Sequence, residues 1–251
     1  MVKIGIIGGS GLDDPDILKN PELVDVTTEY GQPSSPLMTG EIGGVDTVIL
    51  ARHGRNHQYS PSQVNNRANI MALKSAGVSH IIATTACGSL RAEIERGHLV
   101  VLDQFIDFTR FRKNTFFDSF EGGARHTAMA KPFDSLLGNT LVDSAKTLGL
   151  RVHSKGCVIT IEGPRFSTVA ESKMFRMWGA DVINMSTAPE AMLANEAEVP
   201  YSAVAMSTDY DCWKEDEAPV TWEEILAVFN ANADNVKKLL VKVVEGFKHI
   251  E

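Results

Sequence analysis

Two carboxylates stand two positions apart in the stretch STDYDCW, residues 207–213. Asp209 and Asp211 follow a run of small and apolar residues at 201–206 (YSAVAM), which is typical of a buried strand. On an extended segment, side chains two positions apart point to the same side, so both acids could act on one ligand. Close approach of two acids raises the pKa of one of them, which suits general acid catalysis near neutral pH. Two other interpretations stay open at this point: a capping or turn pair, and a DxD magnesium site of a nucleotide-sugar transferase.

A second cluster of chemically capable residues, ARHGRNH at 51–57, follows another apolar run. Arg52, His53 and Arg55 bring two guanidiniums and an imidazole to the end of a predicted strand. These types suit a phosphate or a carboxylate, because arginine supplies a rigid fork of donors. The alternative is a surface cluster of salt bridges.

Three further clusters of glycines and hydroxyls also come directly after apolar runs. They are GIIGGSGLDD at 5–14, TTACGSL at 84–90 and INMSTAPE at 183–190. Glycines let backbone N–H groups approach an anion, and a hydroxyl beside a helix N-terminus suits an oxyanion. The alternatives are a tight turn without a ligand and ordinary helix caps.

Neither common nucleotide motif is present. The first cluster has Asp14 where GxGxxG needs its third glycine, which weakens the interpretation as a Rossmann oxidoreductase. The sequence also lacks the P-loop pattern GxxxxGK[ST]. The pattern therefore favours a phosphate that is free or transferred whole.

The hydrophobic pattern of the sequence predicts the strands and helices that would position these clusters. Apolar runs predict buried strands at 2–7, 47–51, 80–84, 99–101, 157–161 and 203–206, and helical spacing predicts helices at 65–76, 135–148 and 189–198. This alternation predicts an α/β fold, in which ligands bind beyond the carboxyl ends of the strands. Thr221 and Glu224 form a capping-box pattern that opens a terminal helix, and residues 109–131 read as a long loop.

Composition narrows the function classes. The chain has 251 residues with a formal net charge of −8, and we expect one domain over residues 1–251. A net negative charge does not favour binding to nucleic acid or to an anionic membrane. No run reaches the ~20 apolar residues of a membrane span, and MVKIGIIGG lacks the features of a signal peptide. Three cysteines without CxxC spacing are expected as reduced thiols, so we expect a cytoplasmic protein.

Seven motifs, in order and over nearly the whole chain, carry a resemblance to a known family. The motifs are GIIGGSGLDDP, ARHGR, TTACGSLR, DQFIDFT, TIEGPRFST, WGADVINMS with PE, and STDYDCWKE. The sequence resembles the trimeric purine nucleoside phosphorylases, and most closely the methylthioadenosine phosphorylases among them. The resemblance implies a nucleoside phosphorylase fold with a central mixed sheet flanked by helices, a homotrimer, and phosphorolysis, in which inorganic phosphate attacks C1' of a nucleoside. It implies no metal and no organic cofactor, with phosphate as co-substrate.

The resemblance also implies roles for individual residues. The phosphate would be held by Ser10, Arg52, His53, Thr85, Ala86 and Ser186. The nucleoside would meet Phe166 at the base, Met185 under the sugar, and His126 reaching across from a neighbouring subunit. Asp209 and Asp211, with His53, would be the catalytic groups.

The two acids also indicate which base is bound. In the family, aspartates here accompany 6-aminopurines and an asparagine accompanies 6-oxopurines, so we expect adenine. Asp209 is expected to contact N7, and Asp211 to support the amino group.

The 5' end of the nucleoside is expected beside Trp222, Ile225 and Leu226, whose apolar surfaces suit a methylthio group. Two features depart from the family pattern. Trp222 is larger than the small aliphatic residue expected there, and the sequence ends at Glu251, before the C-terminal residue that lines the neighbour's pocket in longer members. The expected reaction is phosphorolysis of S-methyl-5'-thioadenosine. A broader phosphorylase acting on adenosine or 6-oxopurine nucleosides, and a non-catalytic nucleoside-binding protein, remain alternatives.

Overall fold

The computed structural model describes residues 2–9, 15–214, 216–217 and 221–249. Within them the chain forms one mixed sheet of eleven strands and five α-helices, which confirms the predicted α/β fold. The strands are β1 (Lys3–Gly8), β2 (Lys19–Val24), β3 (Leu37–Ile42), β4 (Val45–Ala51), β5 (His80–Ser89), β6 (Leu99–Val101), β7 (Gln104–Phe108), β8 (Val152–His153), β9 (Cys157–Ile161), β10 (Val182–Asn184) and β11 (Tyr201–Asp209). The helices are α1 (Asn66–Ser75), α2 (Ser135–Thr147), α3 (Val169–Met177), α4 (Thr187–Glu196) and α5 (Trp222–Gly246).

The sheet runs in the order β2-β3-β4-β1-β5-β10-β9-β7 and branches at β5, where β11 also pairs. Strands β4, β1, β5 and β11 are mutually parallel neighbours, whereas β10 is antiparallel to β5. The parallel set therefore brings the carboxyl ends of four strands to one edge, where ligands bind in open α/β sheets.

The branch at β5 opens a gap in the sheet. One edge of β5 pairs with β11 as far as Gly88. The other edge pairs with β1 as far as Ala83 and with β10 from Gly88 onward. In the described part of the chain, residues 84–87 thus have a ladder partner on one edge alone, which leaves their other edge to face a cavity.

Helices cover both faces of the sheet. Ile6 and Ile7, adjacent in β1, belong to different core clusters because successive strand residues point to opposite faces. The cluster around Ile7 includes buried residues of α1 and α4, and the cluster around Ile6 includes those of α2 and α5. No helix among the described residues is long and apolar enough to cross a membrane.

The predicted elements are largely confirmed. All six predicted strands are present, and α1, α2 and α4 match the predicted helices to within two residues at each end. The capping box of Thr221 and Glu224 starts α5, whose apolar spacing buries Ile225, Phe229 and Val236 as expected. The segment 109–131 contains no helix or strand. Five strands (β2, β3, β7, β8 and β10) and helix α3 were not predicted.

Candidate active site

A cavity of about 540 Å³ lies at the strand ends beside the gap in β5. Most of the residues that the sequence singled out line its walls. These are Arg52, His53, Thr85, Ala86, Phe166, Met185, Ser186, Asp209, Asp211, Trp222 and Ile225. Four separate clusters, distant in sequence, therefore meet in one place. Thr85 and Ala86 lie inside β5, which continues to Ser89, rather than after its end as expected.

Three predicted site residues are not among these walls. Ser10 lies outside the described residues. Leu226 does not line the cavity, although it lies one helical turn from Trp222, which does. His126 is exposed and packs edge-on against Phe120, with ring centroids 5.5 Å apart, so it does not contribute to the cavity of its own chain.

Arg52 lines one end of the cavity, and it is buried rather than part of a surface salt-bridge cluster. Its side chain makes a two-pronged ion pair with Glu190, through Nε to Oε1 and through Nη2 to Oε2 at 3.0 Å. Nη1 donates to the carbonyl oxygen of Thr84 at 2.8 Å. Tyr201 donates to Glu190 Oε2 at 2.8 Å, so the partner carboxylate is also held in place. Arg52 is 1% exposed and Glu190 is 0% exposed, which fixes the guanidinium plane.

The other guanidinium of this motif, Arg55, is exposed and does not line the cavity. Close approach to Arg52 also depends on Gly9 at the end of β1. A Cβ there would lie 3.0 Å from Arg52 Nη1 and 3.2 Å from the carbonyl oxygen of Thr84, so a side chain would force this end of the cavity to move.

Hydroxyl groups from two strands converge beside Arg52. Thr85 Oγ1 and Ser186 Oγ lie 3.2 Å apart. Ser186 occupies the N-cap position of α4, but its side chain makes no capping bond. Asn184 donates from Nδ2 to Thr85 Oγ1 at 3.3 Å and to Thr187 Oγ1 at 2.5 Å. Thr85 Oγ1 donates its own proton to the carbonyl oxygen of Ala86 at 2.9 Å, so Ser186 Oγ is the donor between the two hydroxyls. Both hydroxyls can rotate toward another acceptor, which suits an oxyanion.

His53 is a neutral imidazole in this setting. Nδ1 donates to the carbonyl oxygen of Tyr59 at 2.9 Å, since a carbonyl can only accept. Burial, followed by the charge of Arg52, lowers the pKa of His53 to about 4. Its ring centroid lies 4.6 Å from that of His57, and the His57 centroid lies 5.7 Å from that of Trp222, with the planes of each pair tilted by 35°. These three rings form a continuous aromatic wall from His53 to the start of α5.

The two aspartates form the opposite end of the cavity, but not on an extended segment. Strand β11 ends at Asp209, and Asp211 adopts the left-handed conformation with φ 50°. The expectation of two side chains on one face of a strand was wrong, because a turn positions the second acid. Asp211 N donates to Asp209 Oδ1 and Thr208 Oγ1 donates to Asp209 Oδ2, both at 2.7 Å.

Both carboxyls have raised pKa values. Burial is the largest cause for Asp209 and for Asp211, and the charge of Asp209 further raises the pKa of Asp211. Mutual repulsion of the two acids was expected to raise the pKa of one of them, whereas removal from water is the dominant cause for both. Gly88 makes room for this arrangement, because a Cβ there would lie 2.8 Å from Asp209 Oδ1.

Met185 and Phe166 complete the walls between the two ends. Met185 precedes Ser186 and packs against Gly163, where a Cβ would collide with the methionine sulfur. Gly163 has φ 66°, a conformation that glycine adopts readily. Phe166 lines the cavity and is 41% exposed, so it is not a core residue.

Several site residues were missed by sequence reasoning. Glu190 and Tyr201 were seen only as parts of predicted elements, Asn184 only as part of the motif at 183–190, and His57 only as the end of a motif. For Asn184 and Glu190 the available signal was their presence in the same motif as Ser186. Among the described residues, no group of three or more His, Cys, Asp or Glu side chains could hold a metal ion, so Asp209 and Asp211 do not form part of one.

Comparisons with known proteins identify the family. Residues 3–245 match the family described as the phosphorylase superfamily. The chain is 54% identical over 247 residues to the S-methyl-5'-thioadenosine phosphorylase of Xenopus tropicalis and 52% identical over 246 residues to that of Danio rerio. Each match covers 97% of this chain and 88% of the relative.

Solved structures agree with these matches. A methylthioadenosine phosphorylase from Schistosoma mansoni in complex with adenine superposes with a TM-score of 0.95 at 40% identity, covering 100% of this chain and 93% of that chain. A serine-to-threonine mutant of an adenosine/methylthioadenosine phosphorylase from the same organism, in complex with methylthioadenosine, gives a TM-score of 0.94 at 39% identity, with the same coverage. The resemblance carried by the seven sequence motifs is thereby confirmed, and the chain belongs to the phosphorylase superfamily.

Proposed function

We propose that this chain catalyses the phosphorolysis of S-methyl-5'-thioadenosine, giving adenine and 5-methylthioribose 1-phosphate. The observation that carries the proposal is a single cavity with oxyanion donors around Arg52 at one end and the pair Asp209 and Asp211 at the other. Relatives at 54% and 52% identity bear the name of this activity, which supports it. The enzyme would be a pentosyltransferase that acts in purine and methionine salvage.

Inorganic phosphate, the co-substrate, would bind among Arg52, His53, Thr85, Ala86 and Ser186. The ion pair with Glu190 fixes the guanidinium but also offsets its charge, so the hydroxyls must contribute much of the recognition. Ser10 belongs to the same proposed set from its motif. Phosphate held here would attack C1' of the sugar, which lies over Met185.

The leaving base would be received by the two acids. Phosphorolysis develops positive charge on the sugar and negative charge on the purine, so a proton delivered to N7 lowers the barrier. We assign that donor to Asp209, because burial raises its pKa and so favours the protonated form that a general acid needs. Asp211 would accept from the 6-amino group, and Phe166 would pack against the base. The proton that Asp209 loses is replaced from solvent after adenine departs.

The 5' end would be enclosed by Trp222 and Ile225, which both line the cavity. An apolar wall favours methylthio over hydroxyl, because a buried hydroxyl without a partner is costly. A homotrimer would bring His126 of a neighbouring subunit to this end. We also propose a cytoplasmic location, supported by three cysteines that are free thiols.

The test is release of free base from methylthioadenosine, adenosine and inosine, each with and without inorganic phosphate. We expect phosphate-dependent release, fastest from methylthioadenosine. Fast cleavage of inosine would show that the two aspartates do not select the base. Absence of base release from any nucleoside would instead favour a binding protein.

A further inference from the structure

Arg112 lies in the long segment 109–131, which has no helix or strand, yet its side chain is only 2% exposed. Its guanidinium donates in three directions. Nε bonds Glu162 Oε1 at 2.9 Å, Nη2 bonds the backbone oxygen of Glu162 at 2.6 Å, and Nη1 bonds the backbone oxygen of Met185 at 3.1 Å. Glu162 directly follows β9, and Met185 directly follows β10. One side chain therefore joins the ends of two neighbouring strands.

Glu162 extends this connection to two more segments. Its Oε2 accepts from the backbone N–H of Arg110 at 2.7 Å and of Phe111 at 3.2 Å, which holds the start of the long segment. Its Oε1 accepts from Ser62 Oγ at 2.5 Å, next to Pro61, which lines the cavity. Burial alone would raise the pKa of Glu162, but these hydrogen bonds outweigh it and lower the pKa to about 2. The carboxylate is therefore charged throughout the working pH range.

We propose that Arg112 is a positioning residue for the sugar, acting by holding the backbone of Met185 at the floor of the cavity. This inference rests on the proposed function, in which the sugar lies over Met185. The Met185 side chain is already confined by Gly163, so the bond from Arg112 fixes the remaining freedom, which is that of the backbone. Without it, the floor could shift while the two ends of the cavity stayed in place.

The ends should stay in place because they are anchored elsewhere. Asp209 is fixed by Thr208 and the backbone of Asp211, and Arg52 by Glu190 and Thr84. In the described part of the chain, the hydrogen bonds of Arg112 go to Glu162 and Met185 alone. Loss of the Arg112 contacts should therefore weaken binding of the sugar selectively.

Lysine cannot replace this geometry. An ammonium group is one donor centre on a flexible stem, whereas the planar guanidinium reaches three acceptors at once. Arg112→Lys keeps the positive charge, which preserves any influence of that charge on His53, and removes the fork. Arg110→Lys is the matched control, because Arg110 is exposed and only its backbone N–H contacts Glu162.

The experiment compares equilibrium binding of methylthioadenosine and of free adenine, in phosphate-free buffer by calorimetry, for wild type and both variants. We expect Arg112→Lys to weaken nucleoside binding about tenfold, as loss of one charged hydrogen bond would. Adenine affinity and KM for phosphate should stay within about twofold of wild type. The reason is that the two ends of the cavity are anchored by contacts other than those of Arg112. Arg110→Lys should match wild type in all three measurements.

Two results would overturn the inference: nucleoside and adenine affinities that fall by the same factor, or a nucleoside affinity that does not change. If Arg112→Lys does not fold, Glu162→Gln is measured in its place. In that variant Arg112 can still donate to the backbone carbonyl oxygens of residue 162 and of Met185. Glu162→Gln should lower the ratio of nucleoside affinity to adenine affinity, but by less than expected for Arg112→Lys. An unchanged ratio would contradict the proposal. A wild-type protein that binds the nucleoside but releases no adenine with phosphate would overturn the proposed function and leave this test intact.

Discussion

The backbone N–H of Asp211 donates a 2.7 Å hydrogen bond to Oδ1 of Asp209. This bond spans a turn in which Asp211 has φ 50°, so the distance between the two carboxyls is set by backbone geometry. Nearby, Gly88 leaves the space that Asp209 occupies. In the proposed function, this preorganised pair would receive a flat base with two polar edges.

Asp211→Asn should change the preferred base. Asparagine keeps the shape of the side chain but adds an N–H donor, which suits the 6-oxo group and fits the 6-amino group less well. We expect the ratio of kcat/KM for inosine over adenosine to rise about tenfold, the scale of one mismatched hydrogen bond. Asp216→Asn, at an exposed acid nearby, serves as the control. An unchanged ratio would argue that Asp211 does not contact the base.

Asp209→Asn should lower the reaction rate and raise the thermal stability of the folded protein. Since burial raises the pKa of Asp209 in the folded protein, ionisation at neutral pH costs the folded state more than the unfolded chain. That cost is absent at low pH and grows as the pH rises through the folded pKa. Asparagine does not ionise, and its amide can donate to Thr208, which can itself donate to the Cys87 carbonyl.

The expected result for Asp209→Asn is a higher Tm than wild type at pH 7.5, with a gap that narrows toward pH 4. The rate should fall about 100-fold, as for loss of a general acid. Thermal denaturation at several pH values and base-release assays measure both. A variant less stable than wild type at pH 7.5 would mean that the hydrogen bonds to the carboxylate outweigh the effect of burial.

His53 should make the protein sensitive to acid. The pKa of a histidine side chain is ordinarily 6.5, and that of His53 in the fold is about 4, so the unfolded chain binds the proton first as the pH falls. Stability is therefore complete above 6.5 and is lost progressively between 6.5 and 4, by about 3 kcal/mol in total. His53→Asn should flatten this dependence, whereas His126→Asn, at an exposed histidine outside the cavity, should follow wild type. Equal acid dependence of the unfolding free energy in both variants would contradict the assignment.

The neutral form of His53 also affects phosphate binding. Between pH 6 and 8 the His53 ring keeps one protonation state, so KM for phosphate should show no titration of His53 in that window. The ionisation of phosphate itself should remain the same in wild type and in His53→Asn. Steady-state kinetics across this range would test the point, and a step that disappears in His53→Asn would contradict it.

Much of the site could be predicted because its chemistry follows strands. Arg52, Thr85 and Ser186 each come directly after an apolar run, and strand ends meet at one edge of a parallel sheet. The supporting residues could not be found in this manner. Glu190 pairs with Arg52 across 138 positions, and Arg112 is buried inside a segment whose composition predicts exposure. Such contacts depend on tertiary packing, which no local pattern encodes.

The missed strands have a similar explanation. Strand β2, with the sequence KNPELV, is exposed along its whole length and includes a proline, so it has no buried face to produce a hydrophobic pattern. Strand β10 has only three residues. Both exist because a neighbouring strand offers hydrogen bonds, β3 for the first and β9 for the second.

Trp222→Val tests how the 5' substituent is selected. Trp222 lines the cavity, packs against His57 and remains 44% exposed, so it forms a wall at the mouth. Valine would remove apolar area that covers a methylthio group and would add room for water, which can satisfy a 5'-hydroxyl. We expect kcat/KM for methylthioadenosine to fall about tenfold, as burial of some ~50 Å² of apolar surface would predict. The kcat/KM for adenosine should change less, so the preference for the thioether declines.

Val228→Ala, at a partly buried position of the same helix outside the cavity, controls for helix stability. If both nucleosides lose activity equally in Trp222→Val, the tryptophan acts on the phosphate end through His57 and His53, and the 5' assignment fails.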